Sequence, residues 1–180
     1  MYQVDAVDAV VGTAADATAN LTRPSGQAPA SGEHRLVIES RFGTLAIGPQ
    51  NAVEFPRGLL GFGDLHSYAL ADLADPRLPQ FKVLQCLDDH QLSFLVLPLD
   101  PESGVIAAAD LAASCEALSI AAEDLAVLLV VTVHKTAAGV LVSANLRAPL
   151  LLDTASRVGV QHVLASERYP VRYPLTETGS

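Results

Sequence analysis

Phe81-Lys82-Val83-Leu84-Gln85-Cys86-Leu87, then Asp88-Asp89-His90-Gln91, then Leu92-Ser93-Phe94-Leu95-Val96-Leu97 is the stretch that decides the fold. Two apolar runs of strand length flank a short polar segment. Aspartates in such a segment bond backbone N–H groups and favour a turn. The stretch therefore reads as a β-hairpin with a loop over 88–91. A second hairpin follows, with Leu125 to Val133 and Gly139 to Asn145 around a loop at His134 to Ala138. Leu125 to Val131 is almost continuously apolar, which predicts a strand buried on both faces, as in a barrel or a central strand.

Working outward, Leu36-Val37-Ile38, Gly43 to Ile47 and Ala52 to Phe55 are short strands, with Phe42-Gly43 as a hairpin turn or bulge. Phe55-Pro56-Arg57-Gly58-Leu59-Leu60-Gly61-Phe62-Gly63 contains a structured loop, because its glycines open positive φ to the backbone. Tyr68-Ala69-Leu70 is a further strand. Ala122-Glu123-Asp124 is a turn, and Leu150-Leu151-Leu152 and Gln161 to Leu164 are the last strands. The alanines and leucines of Ala107 to Leu118 favour helix. Many short strands at regular spacing predict a mainly all-β, single barrel or sandwich domain with one short helix. Residues 1–33 are rich in Ala, Thr, Asp, Ser, Gly and Pro and read as a disordered N-terminal extension, with 34–176 as the folded domain and 177–180 as a C-terminal tail.

The chain has 180 residues, half of them hydrophobic, a formal net charge of −9 and two cysteines. No apolar run approaches the roughly 20 residues of a membrane helix. The first residues lack a basic segment, and the two cysteines fit a reducing cytoplasm. Residues 72–124 carry ten acids against Arg77 and Lys82, a balance of −8. Nucleic-acid binding normally needs a basic footprint, which this chain lacks. An acidic face either steers a basic protein partner or only keeps the chain soluble.

The motifs also match a family. Phe55-Pro56-x-Gly58-Leu59-x-Gly61-Phe62, followed by the Phe81–Val96 hairpin, resembles the flagellar assembly factor FliW. The resemblance continues through Val130 to Val133, Ser143 to Pro149, Arg157 to Gln161 and Tyr169 to Leu175, covering roughly 34–176. It implies a flattened β-barrel with a small helix near Ala112 to Leu118 after an extended lead-in. It also implies a cytoplasmic, non-enzymatic regulator with no cofactor. Such a protein binds flagellin and antagonises the mRNA-binding repressor CsrA, so that two partners compete for one factor. Cys86 and Ser143 stand where the family usually has Ser and Thr, and residues 102–113 are alanine-rich where acids and aromatics are common. A flagellin-only relative is one alternative. A small β-barrel holding an apolar small molecule is the other.

Asp88-Asp89-His90 sets two carboxylates beside an imidazole, but a sequence-local trio in a hairpin loop points several ways, and turn chemistry is the simpler reading. Cys86 lies within an apolar strand and reads as an inert buried thiol. The glycines at 58, 61 and 63 lack the Lys-Ser/Thr of a phosphate loop, and the five histidines show no metal spacing. Asn145-Leu146-Arg147-Ala148-Pro149 is either a corner turn or a partner-facing loop. No catalytic or metal site is expected. The candidate partner-binding residues are Phe55, Pro56, Gly58, Phe62, Asp88, Asp89, Asn145, Arg147 and Pro149.

Overall fold

The computed structural model describes residues 35–137 and 139–175. The extension over 1–33 and the tail over 177–180 lie outside them. Among the described residues there are eleven strands: β1 (Leu36–Ser40), β2 (Gly43–Ile47), β3 (Ala52–Glu54), β4 (Ser67–Asp72), β5 (Lys82–Cys86), β6 (Ser93–Leu99), β7 (Leu125–Thr136), β8 (Gly139–Ala144), β9 (Leu150–Asp153), β10 (Val158–Gln161) and β11 (Tyr173–Leu175). One α-helix among the described residues, α1 (Ala108–Leu118), precedes β7.

Strands β3, β4, β5, β6, β7, β9 and β10 close into a ring. Length is what lets β7 close it. Its first residues pair with β9 (Leu125↔Asp153 to Leu128↔Leu150), and its later ones pair with β8 (Val131↔Ala144 to Thr136↔Gly139). β6 takes the other edge of β7. On the far side, one parallel pair, Val158↔Glu54, joins β10 to β3. β8 and β11 extend from the ring as a flap.

Strand alternation sorts the side chains onto two faces. Leu70, Leu84, Val96, Leu128, Leu150 and Leu152 point into the barrel with Phe55 and Tyr68. The rings of Phe55 and Tyr68 meet edge-on at 5.3 Å. This interior is occupied by side chains. A methyl group at Gly159 would lie 2.6 Å from both the Phe55 ring and Leu152. The opposite face is also buried, under two separate covers. Leu97, Leu99, Val127, Leu129 and Leu151 pack with Leu111 and Cys115 of α1 and with Tyr169 and Leu175 of the C-terminal segment. Ala69, Ala71 and Val83 pack with Ile38, Leu45 and Ile47 of the β1–β2 hairpin. The two-faced burial expected of Leu125 to Val131 follows from this layering, with Val130 half-buried against the barrel interior.

Four details differ from the sequence reading. The helix begins at Ala108, a turn earlier than the extended lead-in implied, with Ala107 as an N-cap that has no side-chain bond. Asp110 in its first turn accepts from the Tyr169 hydroxyl, and Tyr169 in turn accepts from the Ala107 amide, so a tertiary anchor replaces the missing cap. The turn of the second hairpin begins three residues later than expected, because His134 to Thr136 stay in β7 and pair with Leu141 to Gly139. The strand expected at Gln161 to Leu164 is instead Val158–Gln161, since the His162 amide bonds the next carbonyl in register, that of Pro149, which has no N–H to return the bond. β11 is an added strand, paired to β8.

Candidate partner-binding site

One end of the barrel is closed by the segment between β3 and β4. Phe55 turns inward and is fully buried. Gly58 then adopts φ +62°, and a side chain there would meet the Phe62 carbonyl at 2.3 Å. Only glycine fits that position. Two turns follow, with the Phe62 amide on the Leu59 carbonyl and the Leu65 amide on the Phe62 carbonyl. Leu59 is thereby buried while Leu60 is 59% exposed and Phe62 37%. Phe62 meets Phe94 of β6 edge-on, with ring centroids 5.5 Å apart.

The β5–β6 hairpin loop docks onto this segment. Asp88 Oδ2 accepts from the His66 amide at 2.7 Å and from the Ser67 amide at 2.9 Å. The Ser67 and His66 bonds favour the ionised form and hold the Asp88 carboxyl below the usual carboxylate range. His66 Nδ1 lies 3.1 Å from the Phe55 carbonyl and must donate, because a carbonyl only accepts. Buried Gln85 holds the loop from below, its Nε2 near the carbonyls of Cys86, His90 and Leu92. Asp89 caps the Gln91 amide. Turn chemistry is thus what Asp89 does locally, while Asp88 spans to a neighbouring segment.

The Asn145–Pro149 corner has a different environment. Asn145 Oδ1 accepts from the Ala148 amide, and the Asn145 amide bonds the Val130 carbonyl. Arg147 Nη1 donates to the Ser166 carbonyl, and Pro149 is buried. Gln161 connects this corner to the loop. Its Oε1 accepts from the Leu60 amide at 2.8 Å, and its Nε2 donates to the Ala148 carbonyl at 3.3 Å. Beside it a cleft of about 290 Å³ is lined by Arg57, Leu60, Leu118, Val160, His162 and Val163, among others.

Of the candidate residues, Phe62, Asp88 and Asp89 come together, with exposed Pro56 on the same loop. Phe55 and Gly58 shape that loop from inside it. Asn145, Arg147 and Pro149 reach it only through Gln161. Sequence reasoning passed over Leu60, Arg57 and Gln161. The first two lie within the quoted loop motif, where exposure cannot be read. Nothing local signals that Gln161 bridges partners 101 and 13 residues away. Cys86 is fully buried in the barrel, beneath this surface. The chemistry of the surface is that of contact: exposed apolar side chains and acids, on a backbone fixed by cross-links. Among the described residues, no helix is long and apolar enough to cross a membrane.

The FliW protein family matches residues 36–175. The flagellar assembly factor FliW of Syntrophus aciditrophicus is 32% identical over 145 residues, covering 77% of this chain and 86% of that protein. That of Caldicellulosiruptor saccharolyticus is 30% identical over 147 residues, covering 79% and 92%. A crystal structure of a flagellar assembly factor FliW shares the fold with a TM-score of 0.58 at 23% identity, covering 80% of this chain and 98% of that one.

Proposed function

This chain belongs to the FliW family of flagellar assembly factors, and from that premise we propose that it acts in the cytoplasm by binding two protein partners in turn. One is flagellin, and the other is a CsrA-like, mRNA-binding translational repressor. The chain bound to flagellin is withheld from the repressor. When flagellin leaves, the chain takes the repressor off flagellin mRNA. No catalysis, cofactor or direct contact with nucleic acid is involved.

The observation that carries this reading is the joined surface of the Pro56–His66 loop and the β5–β6 hairpin tip. Apolar Leu60 and Phe62 are held out to solvent on the loop, and acidic Asp88 and Asp89 stand on the hairpin tip bonded to the end of that loop. A fixed backbone presenting exposed apolar anchors suits protein docking. The acids suit the approach of a basic RNA-binding protein. The alternative of an apolar small molecule inside the barrel finds the interior filled by Phe55, Tyr68 and the leucines around them.

The test is a pull-down with the full chain from motile cells of its source. Recovery of flagellin and of a CsrA-like protein, in separate complexes, supports the switch. Recovery of flagellin alone reduces the chain to a flagellin-only chaperone. Recovery of neither removes the proposal.

A further inference from the structure

We infer that the cleft bounded by Leu60, Leu118, Val160 and Val163, with Arg57 and His162 at its rim, is the docking site for a partner segment that carries a large apolar side chain next to a carboxylate. This deepens the proposed function and rests on it, because it assigns one of the two partners to a defined surface by chemistry.

The apolar half of the argument is geometric. Leu60 and Val163 are 59% and 49% exposed, facing the same cleft of about 290 Å³. Leu60 is not a loose loop residue. Its amide is bonded to Gln161 Oε1, and the turn following it is closed by the Phe62 amide on the Leu59 carbonyl. Gln161 is itself tied to the Ala148 carbonyl. Holding an exposed leucine in one place lowers the ordering cost of burying it under a partner.

The charged half is a local reversal of sign. The chain carries −9 overall and −8 over residues 72–124, yet among the described residues no carboxylate lines this cleft. The lysine and arginine ion pairs among the described residues belong to Arg77, Lys82 and Arg168, and the Arg57 guanidinium has none. Two of the four C-terminal carbonyls of α1 that would oppose an incoming acid are occupied. Cys115 and Glu116 accept from the Ile120 and Ser119 amides. An unpaired, exposed guanidinium at the edge of an apolar cleft selects a carboxylate, which it binds as a fork. The hairpin tip, with Asp88 and Asp89, selects the opposite charge. One end of the molecule thus offers two surfaces that sort partners by sign, the cleft for an acidic-apolar segment and the tip for a basic one.

The test titrates the full chain, with leucine and valine methyls labelled for NMR, with purified flagellin monomer from its source cells. The expected result is shifts centred on Leu60, Leu118, Val160 and Val163. Arg57→Glu should weaken flagellin binding about tenfold or more, and Arg57→Lys, which keeps the charge but loses the fork, should weaken it less. Binding to the CsrA-like protein should be unchanged by either. Flagellin binding with shifts confined to other methyls, and indifference to Arg57→Glu, overturns the cleft and leaves the proposed function standing. Equally strong shifts from dodecanoate, with flagellin unable to displace it, would reassign the cleft to a lipid-like anion and overturn a protein segment as its occupant. No flagellin binding by the wild type overturns both the cleft and the function it rests on.

Discussion

Asp88 and His66 join the two halves of the exposed surface: the Asp88 carboxylate accepts from the His66 backbone amide at 2.7 Å, across 22 residues of sequence. The Ser67 amide shares the same oxygen at 2.9 Å. The hairpin tip and the loop before β4 therefore move as one piece. Removing the carboxylate frees two amides and leaves the Leu87 amide on the Ser67 carbonyl as the adjoining link. In Asp88→Ala, amide exchange at His66 and Ser67 should quicken while the interior amides of β6 and β7 keep their protection. Hydrogen exchange read by NMR checks this, and unchanged protection at both amides would show that the loop holds itself.

The same bonds set the acid limit of stability. Asp88 is held low by Ser67 and His66, Asp110 by the Tyr169 hydroxyl and Arg168, and Asp153 by the Ser156 hydroxyl and nearby amides. Each folded-state value lies below the unfolded one. The stabilisation is then complete above the ordinary carboxylate range and lost as pH falls through the depressed values. Melting temperature should stay level from neutral pH to about 5 and fall below about 4. Asp88→Asn keeps an acceptor without the charge, so part of the acid fall should disappear in thermal melts of that variant.

Gly159 is where the barrel interior has no room. Its would-be methyl lies 2.6 Å from Phe55 and Leu152, both of which face the filled core. Gly159→Ala should destabilise by about 1–3 kcal/mol through overpacking. Leu128→Ala, at the centre of the same cluster, should destabilise by about 2–5 kcal/mol through the cavity left behind. Urea unfolding measures both. A neutral Gly159→Ala would place an unfilled space beside Phe55.

Much of this architecture was legible because burial on both faces leaves a mark. Leu125 to Leu129 has no polar alternation, since even-numbered side chains enter the barrel and odd-numbered ones meet α1 and the C-terminal segment. The Phe81–Leu97 hairpin was legible from its acids for the same local reason. The start of α1 was not, because Ala107 offers no capping side chain and the anchor is Tyr169, 59 residues from Asp110. The end of β10 is set by its partner, because Pro149 accepts from the His162 amide in register but has no N–H to return the bond. At the site, the glycine pattern announced a structured loop. Which of its apolar residues faces out is set by the turns after Leu59, and composition carries no trace of that.

Tyr169 anchors the C-terminal segment to the helix start. Its buried hydroxyl donates to Asp110 and accepts from the Ala107 amide. Tyr169→Phe should remove about 1–3 kcal/mol of stability, the range for losing a buried polar partner. It should also raise exchange at the Ala107 amide before any change in the barrel. A variant with wild-type stability would mean that apolar packing of Tyr169 alone holds the segment.

Asp89 separates steering from structure better than Asp88, because its carboxylate is exposed and caps only the Gln91 amide. Asp89→Lys should slow association with the CsrA-like protein and leave its dissociation nearly unchanged. Raising salt from about 0.05 to 0.5 M should slow the wild type in the same way, as the screening length shortens several-fold. Association rates insensitive to both would make the acidic stretch a solubility feature.

The partner switch itself is tested most directly by competition. The full chain is first bound to a fluorescently labelled CsrA-like protein, and flagellin monomer is then added while fluorescence anisotropy is followed. The account predicts release of the labelled protein as flagellin rises, with full release at saturation and recovery of its binding to flagellin mRNA. A ternary complex that keeps the label bound at saturating flagellin, or a chain that never binds the labelled protein, would contradict it.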